Sequence, residues 1–126
     1  MKNITRGILL LVMAISLRLA PTVQAGDDKY AAIAVNTSTG KGGYGRGFDS
    51  EEAAVARARK ECGAQDSEAF WCKNAWIALA ISDRKPGGFG WAWSESKSEA
   101  RSKALANCKK FNGDGRVTIC VSAFGD

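Results

Sequence analysis

Four sets of side chains in this sequence carry chemical potential: its cysteines, a glycine run, a row of aromatics and a few carboxylates. The cysteines are Cys62, Cys72, Cys108 and Cys120, an even number in a chain of 126 residues. There is no histidine and no C-x-x-C spacing, so a zinc centre lacks both its usual ligands and its usual layout. Oxidised pairs are the better use of thiols in a small exported chain, and the N-terminus indicates export. Cys62–Cys72 and Cys108–Cys120 are the expected disulfides, because each then staples the same place in an internal repeat. Each would contribute about 2–3 kcal/mol by shrinking the unfolded ensemble.

The run Gly40-Lys41-Gly42-Gly43-Tyr44-Gly45 fits G-x-G-x-x-G. In a dinucleotide fold that loop opens a helix whose N-terminus holds a pyrophosphate. Here the glycines lead into a strand pattern, and the matching stretch later in the chain is broken by Pro86. The Gly-Gly-aromatic-Gly that both stretches keep reads as a structural requirement, and no cofactor is expected. Phe89, Trp91 and Trp93 alternate with Gly88, Gly90 and Ala92, so they line one side of a strand. Tyr44, Arg46 and Phe48 are the earlier counterpart. Core packing is the plain reading of such a row. The alternative is a surface that stacks on sugar rings or on an apolar patch of a partner.

Catalysis has little to work with. Without histidine there is no Ser–His or Cys–His pair and no common proton shuttle. Asp49, Asp83 and Glu95 fall near hairpin ends, where a glycosidase-like pair would need two facing carboxylates. Carboxylates at such places usually cap helices or face water, so no catalytic residue and no metal ligand is assigned. The short basic clusters Arg84-Lys85 and Lys109-Lys110 read as solvated ends.

The elements that must position these groups come in two copies. In the first, Tyr30–Asn36 reads as a strand, 37–43 as a turn, and Tyr44 to Phe48 as a second strand. Asp49 with Glu52 predicts a capping box, and Gly63 predicts a stop just after Cys62. Ala54, Ala58 and Cys62 share one helical face. A polar loop then leads to a short strand, Phe70 to Lys73. In the second copy Ile77, Leu79 and Ile81 form the bulky side of a strand, and Asp83 to Gly88 the turn. The strand of Phe89, Trp91 and Trp93 comes next. Ser96 with Glu99 predicts the second helix start, Ala100, Ala104 and Cys108 repeat the face, and Arg116 to Ser122 is the last strand.

Ahead of both copies, Lys2 and Arg6 precede an apolar run, Gly7 to Leu17, and Val23-Gln24-Ala25 resembles a small-residue cleavage site. Residues 1–25 therefore read as a secretory signal peptide, too short in its apolar part to span a bilayer. Removing them takes away Lys2, Arg6 and Arg18 and no acid, so the formal net charge of +5 falls by three. The balance that remains offers no concentrated basic footprint for nucleic acid. The rest of the chain has no second apolar span, so no stable membrane insertion is expected after cleavage.

The doubled pattern resembles an uncharacterised family of exported bacterial proteins catalogued as domain of unknown function 4189. The residues that carry the resemblance are Ala32-Ile33-Ala34, Gly42-Gly43-Tyr44-Gly45 and Ala54 to Cys62 in the first copy. In the second they are Ala78-Leu79-Ala80, Gly87 to Trp93 and Ala100 to Cys108. The resemblance implies export and disulfides and supplies no catalytic residue. It also implies that an extra bridge found in relatives is missing here, where Asn74-Ala75 stand in place of a cysteine.

The expected fold is α+β: one domain over 26–126, made of a ββαβ unit at 30–75 and its pseudo-twofold duplicate at 76–126. A largely antiparallel six-stranded sheet would carry two helices on one side and two disulfides. Such a sheet leaves its other side bare, which makes Trp91, Trp93, Tyr44 and Phe48, with Arg46, the candidate contact residues. The expected function is a secreted or periplasmic binding module for an unknown protein or glycan, with no chemistry of its own. The alternatives are a small carboxylate-dependent hydrolase of envelope polymers and an inhibitor of a secreted or periplasmic enzyme.

Overall fold

The computed structural model describes residues 28–83, 88–112 and 114–125. The expected signal segment and the tip of the second hairpin lie outside the described residues. Eight elements succeed one another: β1 (Tyr30–Asn36), β2 (Lys41–Phe48), α1 (Glu51–Cys62), β3 (Glu68–Lys73), β4 (Trp76–Ser82), β5 (Phe89–Ser94), α2 (Lys97–Asn112) and β6 (Gly115–Ser122). The order β-β-α-β thus occurs twice.

Local chemistry sets the boundaries. The first hairpin turns where the Asn36 carbonyl accepts from the backbone N–H of Thr39 at 3.2 Å and of Gly40 at 2.7 Å. The cap of α1 is Ser50, one residue later than expected, and its hydroxyl accepts from Ala53 N–H at 3.2 Å. Asp49 is left to pair with Lys29 Nζ at 2.6 Å. Gly63 ends α1 in the left-handed conformation (φ 83°), and its N–H donates to the Arg59 and Lys60 carbonyls. At the start of α2, Ser96 Oγ accepts from Glu99 N–H at 3.4 Å, as the capping pattern predicts.

The strands do not form one six-stranded sheet. They form two three-stranded antiparallel sheets, β2-β1-β3 and β5-β4-β6. Each central strand is hydrogen-bonded on both sides by strands of its own half, so β1 and β4 have no free edge to share. They meet through faces instead. Ala31, Ile33, Val35 and Cys72 from the first sheet pack against Ile77, Leu79 and Val121 from the second. Ile33, Val35, Ile77 and Leu79 are fully buried, each contributing about 1.5–3 kcal/mol by leaving water.

The opposite face of each sheet is lined with alanine and covered by a helix. Ala32 and Ala34 lie under Ala54, Ala58 and Cys62 of α1. Ala78, Ala80 and Ala92 lie under Ala100, Ala104 and Cys108 of α2. The layers run helix, sheet, sheet, helix, so the helices sit on the two outer faces rather than on one side. The approach is close enough to demand glycine in the hairpin strands. A Cβ on Gly43 would fall 2.4 Å from the Ala58 carbonyl oxygen, and one on Gly90 would fall 2.5 Å from that of Ala104.

The expected disulfides are absent: all four cysteines are free. Cys62 faces the first sheet from α1, and its thiol donates to the Lys41 carbonyl at 3.5 Å. Cys72 pairs with Ala31 across β1 and points into the space between the sheets. The first sheet therefore stands between these two sulfurs. Cys108 and Cys120 both lie on the helix side of the second sheet, but at different levels. Cys120 is level with Ala78, whereas Cys108 sits over Gly90 and Gly115, which pair with Ala80 and Ser82. A register shift in β6 places Thr118 as an extra residue between Val117 and Ile119, which turns Cys120 to the face opposite that of Cys72.

Candidate functional site

The candidate contact residues do not form one surface. Sheet packing brings β3 over β5, shown by the rings of Phe70 and Trp91, stacked with centroids 4.5 Å apart and planes at 16°. It brings β2 over β6, where a Cβ on Gly42 would touch Ile119 and the Gly47 N–H donates to the Ala123 carbonyl at 3.1 Å. Strands β2 and β5 therefore occupy opposite edges of the sandwich. Tyr44 and Arg46 are exposed on one edge, and Trp93 is exposed on the other.

Two candidates are structural. Trp91 is half-buried between the sheets, where Phe70 stacks on it and Phe89 lies against Phe70 at 5.8 Å. Phe48 leaves the side of Tyr44 altogether. Tyr30 pairs with Phe48 and Ala32 with Gly45, so β2 gains one residue through a bulge containing Gly47 at φ 76°. The bulge turns Phe48 toward α1, where it packs on the cluster of Ala32, Ala34, Ala54 and Ala58. The three-residue row of the first hairpin thus reduces to Tyr44 and Arg46.

Trp93 keeps company that the sequence did not single out. An open depression of about 670 Å³ is lined by Trp93, Ser94, Glu95, Ser96, Glu99 and Lys103. Ser94 Oγ donates to Glu99 Oε1 at 2.5 Å and accepts from the Ser96 N–H at 3.2 Å. Lys103 Nζ lies 3.5 Å from the same Glu99 oxygen, one helical turn along. The Ser94 hydroxyl and then the Lys103 ammonium hold the Glu99 carboxyl below its usual pKa. A carboxylate so placed is a fixed acceptor, unsuited to carrying a proton at neutral pH. The Ser96–Glu99 capping pattern was the signal available for this cluster, because it predicts both residues at one helix start. The part of Ser94, which relays between Glu99 and the Ser96 N–H, had no sequence signature.

Among the described residues no three His, Cys, Asp or Glu side chains are grouped to hold a metal. Burial raises the Cys72 thiol to about 11, so at neutral pH it stays protonated. Glycines Gly43 and Gly45 lie against α1 within a strand, in place of a phosphate loop ahead of a helix.

The family described as Domain of unknown function (DUF4189) matches residues 30–123. The chain belongs to that family. No curated protein and no solved structure matches it. The DUF4189 match covers all eight elements of the sandwich. It carries no activity with it, so function has to be argued from the surface. Among the described residues of this DUF4189 chain, no helix is long and apolar enough to cross a membrane.

Proposed function

We propose that this protein is an exported interaction module that binds through side chains displayed on its sheet edges and performs no reaction of its own. The observation that carries the reading is Trp93, an indole left 53% exposed at the end of a strand whose neighbouring Trp91 is covered. An exposed indole joins a large apolar area to a polar N–H, the combination enriched at contact surfaces. Tyr44, 39% exposed beside Arg46, offers a second and separate contact on the opposite edge. The cluster around Glu99 favours binding over hydrolysis, since that carboxylate is already committed to Ser94 and Lys103.

The test is capture of components from envelope and medium fractions on the immobilised mature protein, repeated with Trp93→Ala and with Tyr44→Ala. Loss of one specific component with either variant supports the reading and assigns the edge. Capture unchanged in both removes these residues and the reading with them. Trp91→Ala is unsuited to this purpose, because it removes a ring from between the sheets.

A further inference from the structure

We infer that the depression beside Trp93 is a shallow sugar-binding site for a glycan of pyranose rings with equatorial hydroxyls. The inference rests on the interaction reading above and names the chemistry of one of its two edges. A ring of that kind has an apolar face of C–H bonds and a rim of hydroxyls. It therefore needs a flat apolar platform flanked by both donors and acceptors.

The lining supplies those parts. Trp93 is the platform: its indole leaves β5 on the inter-sheet face, level with Ile77, and stands 53% exposed at the rim of the depression. Glu95 is an exposed acceptor with no hydrogen-bond partner among the described residues. Ser96 carries a hydroxyl that is shared with Ser98 at 3.2 Å and stays exposed. Lys103 brings ammonium donors, only part of whose capacity goes to Glu99 at 3.5 Å. The depression is open to solvent, so a chain can run across it.

Rival occupants fit the same lining less well. A simple anion would meet Glu95 and the ionised Glu99, and a simple cation would meet Lys103. A peptide adding itself to β5 needs the outward carbonyls of that strand. Ser82 N–H donates to the Gly88 carbonyl at 2.9 Å, which puts the bonded pairs of this hairpin on even-numbered residues. The Trp91 carbonyl therefore faces outward, and Asn107 of α2 already donates to it at 2.9 Å. The edge is blunted where a strand would dock.

The experiment is NMR titration of the mature protein with two probes, the β-1,4-linked tetramers of N-acetylglucosamine and of glucose, each to about 10 mM, a ceiling set by the millimolar affinity expected of an open site. The expected result is a saturable shift of the Trp93 indole N–H with at least one tetramer. Trp93→Ala weakens binding by about tenfold or more, Trp93→Phe retains part of it, and Glu95→Gln weakens it severalfold. Trp71→Ala, which alters another exposed tryptophan, leaves binding unchanged. The amide spectrum of each variant reports that the fold is intact. Absence of a saturable Trp93 shift with both tetramers overturns the sugar assignment, and so does equal loss with Trp71→Ala. If the tetramers fail while Trp93→Ala still abolishes capture of a protein component, the sugar assignment falls and the interaction reading stands.

Discussion

Replacing Gly90 with alanine tests the architecture at its tightest point. The added methyl would lie 2.2 Å from the Cys108 backbone nitrogen, 2.5 Å from the Ala104 carbonyl oxygen and 2.7 Å from the Asn107 carbonyl carbon. All three are main-chain atoms of α2, so no rotamer change relieves the clash, and the helix has to retreat by roughly 1 Å to restore ordinary contact. Overpacking of this kind costs about 1–3 kcal/mol, and the rigid contacts place Gly90→Ala at the upper end. At about 4–8 °C per kcal/mol for a domain of this size, the melting temperature should fall by roughly 12–24 °C. Gly47→Ala is the control. Nothing lies within 4 Å of its Cβ position, and only its φ of 76° opposes the change, at about 1 kcal/mol. Thermal unfolding followed by circular dichroism compares the two. If Gly90→Ala melts no lower than Gly47→Ala, α2 does not rest on β5 as described.

Phe70→Ala removes the ring that stacks on Trp91 and touches Phe89. It should destabilise by about 2–4 kcal/mol in chemical unfolding and weaken the near-ultraviolet aromatic signal. Alkylation in denaturant without reductant should label all four cysteines. In the native protein Cys120, the one of the four that is not fully buried, should react first. An intact mass short of hydrogens, with unlabelled cysteines, would restore the disulfides. The Cys72 thiol has a folded pKa of about 11 against an ordinary 9.0, raised mainly by burial. The unfolded chain loses this proton first as pH rises, so stability present below pH 9 declines through the interval up to about 11. The slope attributable to this group is about 1.4 kcal/mol per pH unit. Subtracting the profile of Cys72→Ala from that of the wild type isolates it, and identical profiles would contradict the burial.

The strands and helices were legible because each depends on neighbours in sequence. Ser96 with Glu99 and the Gly63 stop act over three or four residues, and both work as the spacing predicts. Sheet membership was not legible, because alternation tells which side a residue faces and not which strand bonds to which. The signal that was available is the apolar character of both sides of β1 and β4, alanine on one and Ile, Val or Leu on the other. A strand buried on both faces needs a covering layer on each. That requirement already weighs against a sheet with one bare side.

The site was harder to read for a related reason. Two bulges, one holding Gly47 and one Thr118, each insert a residue and reverse the facing of the residues beyond it. Phe48 was thereby lost from the aromatic row, and Cys120 was turned away from the equivalent of Cys72. Neither insertion has a signature that periodicity can detect. Trp93 survived because no bulge interrupts β5.

The face-to-face meeting of the sheets has a consequence for any shortened form of the chain. A fragment ending before Trp76 would retain its helix and its hairpin, yet present Ile33, Val35, Phe70 and Cys72 to water. Such a fragment would stay dissolved only by docking on a twin of itself, with the covalent tether at Asn74-Ala75 replaced by concentration. Its folding would then obey a mass-action law, whereas in the intact chain the tether supplies the second sheet within the same molecule.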